Sequence, residues 1–519
     1  MWNVCKRKIG SVLLYCFFAL FMILAIHSKK NMHVDEVYSY GLANNMDEIC
    51  MSIEDGTTYY PSNTPWLEYM TVDSENCFNY ANVWANQARD VHPPLYYTIL
   101  HTICSLFAGS FSIWFAGLIN IVFALGTLFF MRKIVLLLTE NELLTGLISV
   151  VFVCSAGILS TVTFLRMYIL AMFWITALTY VIMNQIGKKN TLKTYLCIMC
   201  ISMGGALTHY YCIVYIIFIS IAYGCYLLYS KNWKGTGFFC LTQGIAALAS
   251  IGIFPAMLEH ILSSSRGHES VSNFADNSLK AGFERLQIFF NMIDLQLFGG
   301  VFIYIFFIFL LFIILMRKNA LKKLMGEKRI MVIRYLCIGV PIVLYFILIS
   351  KIAAYMTDRY MFPIYAVLWA VVLSGISEFF RLLQIQHAVH IFAILAVIMS
   401  VNSWKNVNWT YLYKESEILL ETASNYSDVD CLYIYEKPWE MNPSYFEVSQ
   451  YHSVTFIKRN ELDLLSSHEV SKKYHLIVAT TGDDEEVLEQ IMDLSPALND
   501  YDSLGGYGYT NTYYLHGLQ

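Results

Sequence analysis

The sequence has 519 residues, of which 57% are hydrophobic and only 14% are charged. An ordinary soluble domain carries roughly 25% charged residues, so this chain has too few charges to cover a soluble surface of its length. The net charge is −5 and no basic cluster is present, which excludes nucleic acid as an expected partner. The 13 cysteines form no metal-binding pattern, and the CxxC of Cys197 and Cys200 lies within a predicted span, where helix packing is the expected role. Long charge-free apolar stretches instead predict a polytopic membrane protein.

The first apolar stretch covers residues 9–26 and follows Lys6, Arg7 and Lys8. Basic residues stay in the cytoplasm, which places the N-terminus inside. No A-x-A-like cleavage site follows, and the stretch is long enough to span a bilayer. We therefore interpret it as an uncleaved helix and not as a signal peptide.

Residues 27–111 form one large outer loop in this interpretation. The apolar segment 93–108 within it is short for a span and begins with two prolines, which is typical of a juxtamembrane or re-entrant helix. If that segment crossed the membrane, the basic pair Arg132-Lys133 would fall outside. Cys50 and Cys77 share the loop, and the sequence leaves a disulfide between them open.

Further apolar stretches, each near the roughly 20 residues that a bilayer requires, follow the loop. They cover approximately residues 112–131, 143–164, 166–186, 192–208, 210–229, 236–257, 299–316, 331–350, 360–378 and 388–403. With the first stretch they predict about eleven spans. The basic residues Lys188 and Lys231 and the run Arg317–Arg329 then lie on the cytoplasmic side. Residues 257–298, as a polar loop, and 351–358 lie outside.

After Val401 the sequence changes character, and residues 405–519 contain no span. Short β-rich runs alternate there with helical patterns. The β-rich runs are Cys431–Tyr435, Val454–Ile457 and His475–Thr480, and the helical patterns are Glu440–Gln450 and Glu485–Leu494. The predicted fold is therefore mainly α, with a transmembrane bundle over residues 1–404, juxtamembrane helices in its outer loop, and a small extracytoplasmic α/β domain over 405–519. Such a chain is a multi-pass plasma-membrane protein.

An acidic pair, Asp35 and Glu36, comes just after the first span. Neighbouring residues on a helix point about 100° apart, so we expect the two carboxylates to have different tasks. One can act as a general base on an acceptor hydroxyl, while the other orients it or binds a cation. A solvated acidic start of a helix is the structural alternative.

More polar clusters fall at the predicted outer ends of the spans, where charged residues are costly and therefore functional suspects. They are Arg89 with His92 before two prolines, Arg166 with Tyr168, His209 with Tyr210, and Arg359 with Tyr360. Each cluster alone has a structural alternative, such as an aromatic belt, a snorkelling arginine or a surface ion pair. Together, cationic groups that hold a leaving phosphate and a carboxylate that accepts a proton make a sensible transferase site.

The order of these motifs resembles the GT-C superfamily of polyprenyl-phosphate-sugar-dependent glycosyltransferases. The resemblance is closest to the branch of the protein O-mannosyltransferases and the lipid A aminoarabinose transferases, and it covers roughly residues 1–405. It rests on the acidic pair Asp35-Glu36, the basic-Pro-Pro motif His92-Pro93-Pro94, Arg166-Met167-Tyr168, His209-Tyr210-Tyr211, and Arg359-Tyr360 ahead of Pro363.

The resemblance implies an inverting transfer, by a hexosyl- or pentosyltransferase of the cell envelope. It implies that Asp35 is the base and that Glu36 is the second acid of that motif. His92 stands where the aminoarabinose branch has lysine and the mannosyltransferases often have histidine, and Arg359 corresponds loosely to a phosphate-binding residue. The implied partners are a polyprenyl-phosphate-linked sugar, membrane lipid, and a glycan, lipid or protein acceptor. A divalent metal ion stays optional, because a phosphate diester leaves well without one.

Other classes stay open at this stage. A flippase or transporter of lipid-linked glycans predicts charges along a path inside the spans, whereas the polar residues here collect outside them. An oligosaccharyltransferase or polymerase with a lipid-diphosphate donor shares the same topology. A non-catalytic scaffold that binds through residues 405–519 predicts no dependence on Asp35.

Overall fold

The computed structural model describes residues 2–46, 49–276, 278–315, 328–384, 386–407, 409–467, 476–481, 484–495 and 497–517. Most of the predicted basic run Arg317–Arg329 and the first residue of the predicted strand His475–Thr480 lie outside these residues. The chain divides into two compact units. The first unit is Met1–Ala25, Val91–Tyr96 and Gly117–Asn408, and the second is Ile26–Asp90, Tyr97–Ala116 and Trp409–Gln519.

Helices make up most of the described chain. Before the C-terminal domain they are α1 (Trp2–His27), α2 (Val34–Asn44), α3 (Pro65–Met70), α4 (Tyr80–Arg89), α5 (Leu95–Leu106), α6 (Ile113–Thr139), α7 (Glu142–Val153), α8 (Ala156–Thr163), α9 (Tyr168–Gln185), α10 (Leu192–Ala206), α11 (Tyr210–Tyr229), α12 (Trp233–Ile253), α13 (Ala256–Leu262), α14 (Ser265–Ala275), α15 (Leu279–Ile293), α16 (Phe302–Leu315), α17 (Arg329–Ile352), α18 (Tyr365–Leu382) and α19 (Ala388–Asn406). Polar side chains cap the N-termini of several of these helices. Asn141, Asn232 and Ser278, for example, accept backbone N–H groups of the first turns of α7, α12 and α15.

The number of membrane-length helices confirms the predicted polytopic bundle. Within the described residues, eight helices are long and apolar enough to cross a bilayer, or up to ten if each of two bent pairs is one span. The segment predicted not to cross is α5, with 12 residues. The predicted span 192–208 is α10, whose 15 residues fall short of membrane length.

The predicted span 143–164 consists of two helices, α7 and α8, bent by 52° between Val153 and Ala156. Gly157, in the first turn of α8, allows this helix to pack closely against its neighbours. A β-carbon at Gly157 would lie 2.9 Å from Leu297 Cδ2 and 3.1 Å from the Tyr365 ring. Apolar length alone therefore predicted that the segment is helical but could not indicate its bend.

The predicted polar loop 257–298 is largely helical, and the predicted span that follows it starts three residues late, at Phe302. Helix α15 continues through a π-helical turn at Asp294–Phe298, and the chain then bends by 96°. Gly299 and Gly300 make the bend, with φ of +66° and +81°. A β-carbon at Gly299 would lie 2.6 Å from the backbone oxygen of Met399 in α19, so only glycine fits.

The second unit is built on a mixed sheet of strand order β1-β3-β2-β4-β6-β5. The strands are β1 (Thr58–Tyr59), β2 (Asp430–Tyr435), β3 (Ser453–Lys458), β4 (Leu476–Thr480), β5 (Asp500–Tyr507) and β6 (Thr510–His516). Strands β2, β3 and β4 are parallel, whereas β1, β5 and β6 pair antiparallel. The sheet confirms the predicted α/β domain and its three β-rich runs, but the β5–β6 hairpin was missed.

Three helices belong to the C-terminal part: α20 (Glu417–Asn425), α21 (Tyr445–Val448) and α22 (Asp484–Leu494). Helix α22 covers one face of the sheet, where Val487, Leu488 and Ile491 form a core with Leu432 and Leu515. The predicted helix Glu440–Gln450 begins as a 3-10 turn over Pro438–Ser444 and only then becomes α21. Proline inside the segment explains the change, because Pro443 cannot donate a helical hydrogen bond.

Strand β1 comes from the predicted outer loop and pairs with β3, with Thr58 opposite Thr455. Their hydroxyl groups lie 2.7 Å apart. Residues 26–90 and 97–116 thus share one compact unit with residues 409–519, whereas the prediction assigned the loop to the membrane bundle.

Candidate active site

The acidic pair begins helix α2, and His33 caps that helix. The backbone N–H of Asp35 donates to His33 Nδ1 at 3.1 Å, and the backbone N–H of His33 donates to Glu36 Oε2 at 2.6 Å. This reciprocal arrangement is a capping box with histidine in the place of the usual serine or threonine. The start of the helix is thereby fixed in position on both sides of Asp35.

The two acids, which the sequence predicted to have different tasks, have different surroundings. Glu36 is fully buried, and its Oε2 lies 2.9 Å from the buried ammonium of Lys29. Asp35 keeps 27% of its side chain exposed, with Oδ2 3.6 Å from His33 Nδ1. Burial lowers the pKa of Lys29, and the charge of Glu36 opposes that shift. Lys29 is not among the residues predicted for the site, because its only signal in the sequence is a basic residue directly after a span.

Arg89, a predicted substrate-binding residue of the second unit, lies in the last turn of α4. Its guanidinium donates to Asn86 Oδ1 at 2.9 Å within the same helix. The side chain is exposed, and a cation in the last turn of a helix is a favourable partner of the helix dipole.

In the first unit, the structure brings His92, Arg166 and His209 together. Arg166 Nη2 lies 3.4 Å from His92 Nε2, and the rings of His92 and His209 are 6.4 Å apart. Arg166 and His209 are buried. These residues come from three different interhelical turns, so the cluster exists only in the folded unit.

His209 is the buried centre of this cluster. It caps α11 by accepting the N–H of Tyr211 on Nδ1 at 3.0 Å, and its ring lies 5.3 Å from that of Tyr168. Burial, and then the charges of His92, Arg166 and Arg359, hold the pKa of His209 well below its ordinary value. His209 is therefore a neutral imidazole among three basic side chains. We call the four residues His92, Arg166, His209 and Arg359 the basic cluster.

Arg359 and Tyr360 lie in a short 3-10 turn, Asp358–Tyr360, ahead of α18. The Arg359 guanidinium lies 5.6 Å from the centre of the Tyr360 ring, and that ring packs edge-on against Tyr211 at 5.2 Å. The backbone oxygen of Tyr360 accepts the Tyr345 hydroxyl at 2.8 Å. Asp358 accepts the side-chain amide of Gln296, so the turn is fixed from two sides.

Tyr210, the tyrosine that the sequence selected, and its neighbour Tyr211 contact different residues. The Tyr210 hydroxyl lies 2.7 Å from His260 Nδ1, and His260 is not a member of the basic cluster. Tyr211 instead contacts His209 and Tyr360, with ring centres at 5.0 and 5.2 Å. A pair of adjacent tyrosines gives no sequence signal for which ring faces inward.

The cysteines of the outer loop are not joined, and the described side chains form no metal-ligand group. Cys50 and Cys77 are free thiols, and Cys50 Sγ lies 3.7 Å from the Tyr38 hydroxyl. In the part of the chain that the structure describes, no three His, Cys, Asp or Glu side chains are grouped as metal ligands would be.

No protein-family profile matches the sequence, and no curated protein matches it. Solved structures do match. The crystal structures of ArnT from Cupriavidus metallidurans, bound to undecaprenyl phosphate and in the apo state, have TM-scores of 0.52 and 0.53 to this chain at 9% identity. The alignments cover 98% and 99% of this chain and 99% and 100% of those chains.

The archaeal oligosaccharyltransferase AglB from Archaeoglobus fulgidus, in complex with an inhibitory peptide and a dolichol-phosphate, also matches. Its TM-score is 0.40 at 9% identity, over 96% of this chain and 74% of that chain. The likeness to ArnT, over nearly the whole length of both chains, establishes that this protein has the same fold as ArnT.

Proposed function

We propose that this GT-C-fold protein is an inverting glycosyltransferase of the membrane, which moves a sugar from a polyprenyl phosphate to an extracytoplasmic acceptor. The observation that carries the proposal is the basic cluster of the first unit. Side chains from four separate turns, two of them arginines and two histidines, converge there, and guanidinium and imidazole groups are suited to binding a phosphate.

The basic cluster supplies what a leaving phosphate needs. A guanidinium such as that of Arg166 can bind two phosphate oxygens at once, and its burial strengthens each charge–charge interaction. Neutral His209 can hydrogen-bond to the phosphate without adding charge repulsion. The ArnT structure bound to undecaprenyl phosphate supports a polyprenyl phosphate as the lipid carrier.

Asp35 is the proposed general base. Its partly exposed carboxylate accepts the proton of the acceptor hydroxyl while that oxygen attacks the anomeric carbon. The bond between this carbon and the phosphate oxygen breaks, its electron pair stays on the phosphate, and the configuration at carbon inverts. Glu36 is held by Lys29 and by the His33 N–H, so we assign it a positioning role.

The proposal keeps the predicted orientation, in which basic residues between spans hold the N-terminus in the cytoplasm and the C-terminal domain lies on the extracytoplasmic side. In this orientation the turns of the basic cluster lie at the outer ends of the helices, where a lipid-linked sugar presents its headgroup. The proposal therefore includes an acceptor on that side, of glycan, lipid or protein class.

Turnover of radiolabelled polyprenyl-phosphate sugars by the purified protein in detergent tests the proposal. The wild type should release polyprenyl phosphate from at least one donor, and Asp35→Asn should lower that rate by about 10²-fold or more, because a carboxamide cannot accept the proton. The matched control is Glu75→Gln, an exposed acid of the same unit, which should keep the rate. Equal rates for the wild type and Asp35→Asn would remove Asp35 from catalysis. Turnover of lipid-diphosphate donors alone would favour the oligosaccharyltransferase class.

A further inference from the structure

Lys29 joins two segments that are far apart in the sequence. Its Nζ lies 2.9 Å from Glu36 Oε2 and donates to the backbone oxygen of Tyr411 at 2.7 Å. The same ammonium lies 4.4 Å from the centre of the Tyr413 ring, a favourable cation–π distance. Lys29 and Tyr411 are 382 positions apart, so one buried side chain ties the chain after α1 to the start of the C-terminal domain.

Tyr413 also contacts the residue that caps α2. Its ring lies nearly parallel to the His33 imidazole, with centres 6.5 Å apart, and the Tyr507 ring of β5 packs edge-on against it at 5.7 Å. Burial, and then the negative charge of Glu36, raises the pKa of the Tyr413 hydroxyl. Tyr413 therefore stays neutral and covers both the ion pair and the cap.

Glu36 makes the connection between Lys29 and the acid beside it. The oxygen that pairs with Lys29 is also the oxygen that accepts the His33 N–H. His33 in turn accepts the N–H of Asp35. A displacement of the Glu36 carboxylate therefore changes the first turn of α2, which carries Asp35.

A buried ion pair is a poor source of stability, because the desolvation of both charges offsets their attraction. Removal of one partner is nevertheless damaging, since the other charge then stays buried without compensation. Such a pair is best explained by what it holds in place, and here it holds the start of α2 against residues 411–413.

We infer that Lys29 is a positioning residue for the proposed base Asp35, and that residues 411–413 of the C-terminal domain complete its setting. The inference rests on the proposed function. It gives the C-terminal domain a part in catalysis, since Tyr411 and Tyr413 hold the ammonium that holds Glu36.

The neighbouring lysine offers a matched control. Lys30 Nζ lies 2.5 Å from Glu417 Oε1, and both side chains are about two-fifths exposed. This pair joins the same two segments as Lys29 does, but it is open to solvent and does not involve Glu36. Lys30→Met therefore removes a cation at the same junction without disturbing the buried pair.

Lys29→Met should lower kcat by about 10- to 100-fold, because a small displacement of a base costs that much, and should leave the donor KM within about twofold. Lys30→Met should keep kcat. The double variant Lys29→Met/Glu36→Gln should recover at least part of the lost rate, because the amide oxygen still accepts the His33 N–H and no unpaired charge stays buried.

Hydrogen exchange read by mass spectrometry provides a test that needs no turnover. Lys29→Met should speed exchange in residues 34–44 and 411–417 together, and Lys30→Met should not. Wild-type kcat in Lys29→Met, or unchanged exchange in residues 34–44, would overturn the inference. A raised donor KM with unchanged kcat would do so too. If no donor is turned over by the wild type, the proposed function fails, and the exchange result still decides whether Lys29 holds α2.

Discussion

Neighbouring carboxylates at positions 35 and 36 show how one helix turn creates two chemical environments. Glu36 points into the unit and pairs with Lys29, whereas Asp35 keeps a partly exposed side chain. The 100° step between helix neighbours explains why two adjacent side chains have different surroundings. The partner of Glu36 could not be predicted, because its setting depends on Tyr411, 382 positions away from Lys29.

The basic cluster also consists of residues that are distant in the sequence and come together only in the folded unit. Motif order selected His92, Arg166, His209 and Arg359 as candidates, and the structure brings them near one another in the first unit. The choice between Tyr210 and Tyr211 had no signal in the sequence, because it depends on where His260 and Tyr360 pack.

His209 makes the stability of the protein depend on pH. Its pKa is depressed in the folded state, so below about pH 6.5 the unfolded chain binds a proton that the folded chain does not. This contribution to stability is complete above that pH and is lost as the pH falls through the folded pKa. Between pH 7.5 and 5.5, the thermal unfolding midpoint of the wild type should therefore fall further than that of His209→Asn.

Asparagine is the matched replacement because it can still cap α11 but does not titrate. A second control, His268→Asn, changes an exposed histidine and should respond to pH as the wild type does. Parallel pH responses of the wild type and His209→Asn would contradict a neutral, buried His209.

At the scale of elements, apolar length predicted where helices lie but not where they bend. Residues 143–164 have the composition of one span but form two helices bent by 52°, and Gly157 lets the second of them, α8, pack closely against Leu297 and Tyr365. Residues 257–298 were predicted as a loop from their polar residues, yet Ser264 and Ser278 cap helices there. Strand β5 was missed because Gly505, Gly506 and Gly508 resemble a loop when the pairing with β6 is not known.

At the bend after α15, replacing Gly299 should cost more stability than replacing Gly300. Gly299→Ala forces a side chain into a left-handed backbone and against Met399, which should cost about 2–4 kcal/mol. Gly300→Ala has the left-handed backbone but only Leu295 Cδ2 at 3.8 Å, so the cost should be about 1 kcal/mol. Thermal unfolding in detergent would measure both.

Gly282→Ala serves as the helix-interior control, since a β-carbon there meets no atom within 4 Å. It should stabilise α15 slightly, because alanine has the higher helix propensity. Equal losses at Gly299 and Gly300 would mean that the packing against α19 does not restrict this bend.

At the scale of the whole molecule, the sequence indicates two parts but not their membership. Hydropathy separated residues 1–404 from 405–519, since one part has spans and the other has none. Contacts instead group residues 26–90 and 97–116 with the C-terminal part. The two-residue strand β1 is too short to predict from a pattern, and it is recognised only by its partner β3.

A disulfide introduced across β1 and β3 would test this shared sheet. Opposed residues of antiparallel strands have α-carbons about 4.5–5.5 Å apart, which matches the separation that a disulfide needs. Thr58→Cys/Thr455→Cys should therefore form a disulfide under mild oxidation. After cleavage of the chain between the two positions, the fragments should run together on a gel until a reductant is added.

Side-chain alternation provides the control for that disulfide. Thr57→Cys/Thr455→Cys moves one thiol by a single residue and towards the other face of the chain, so its fragments should separate without reductant. Native cysteines such as Cys50 and Cys431 are present in both variants, which removes their contribution from the comparison. Linkage in both variants would mean that the loop moves freely over β3, and linkage in neither would contradict the pairing. Linkage of the Thr58 variant alone would establish that the segment after α1 and the C-terminal domain fold as one body, which is the condition for Tyr411 and Tyr413 to hold Lys29.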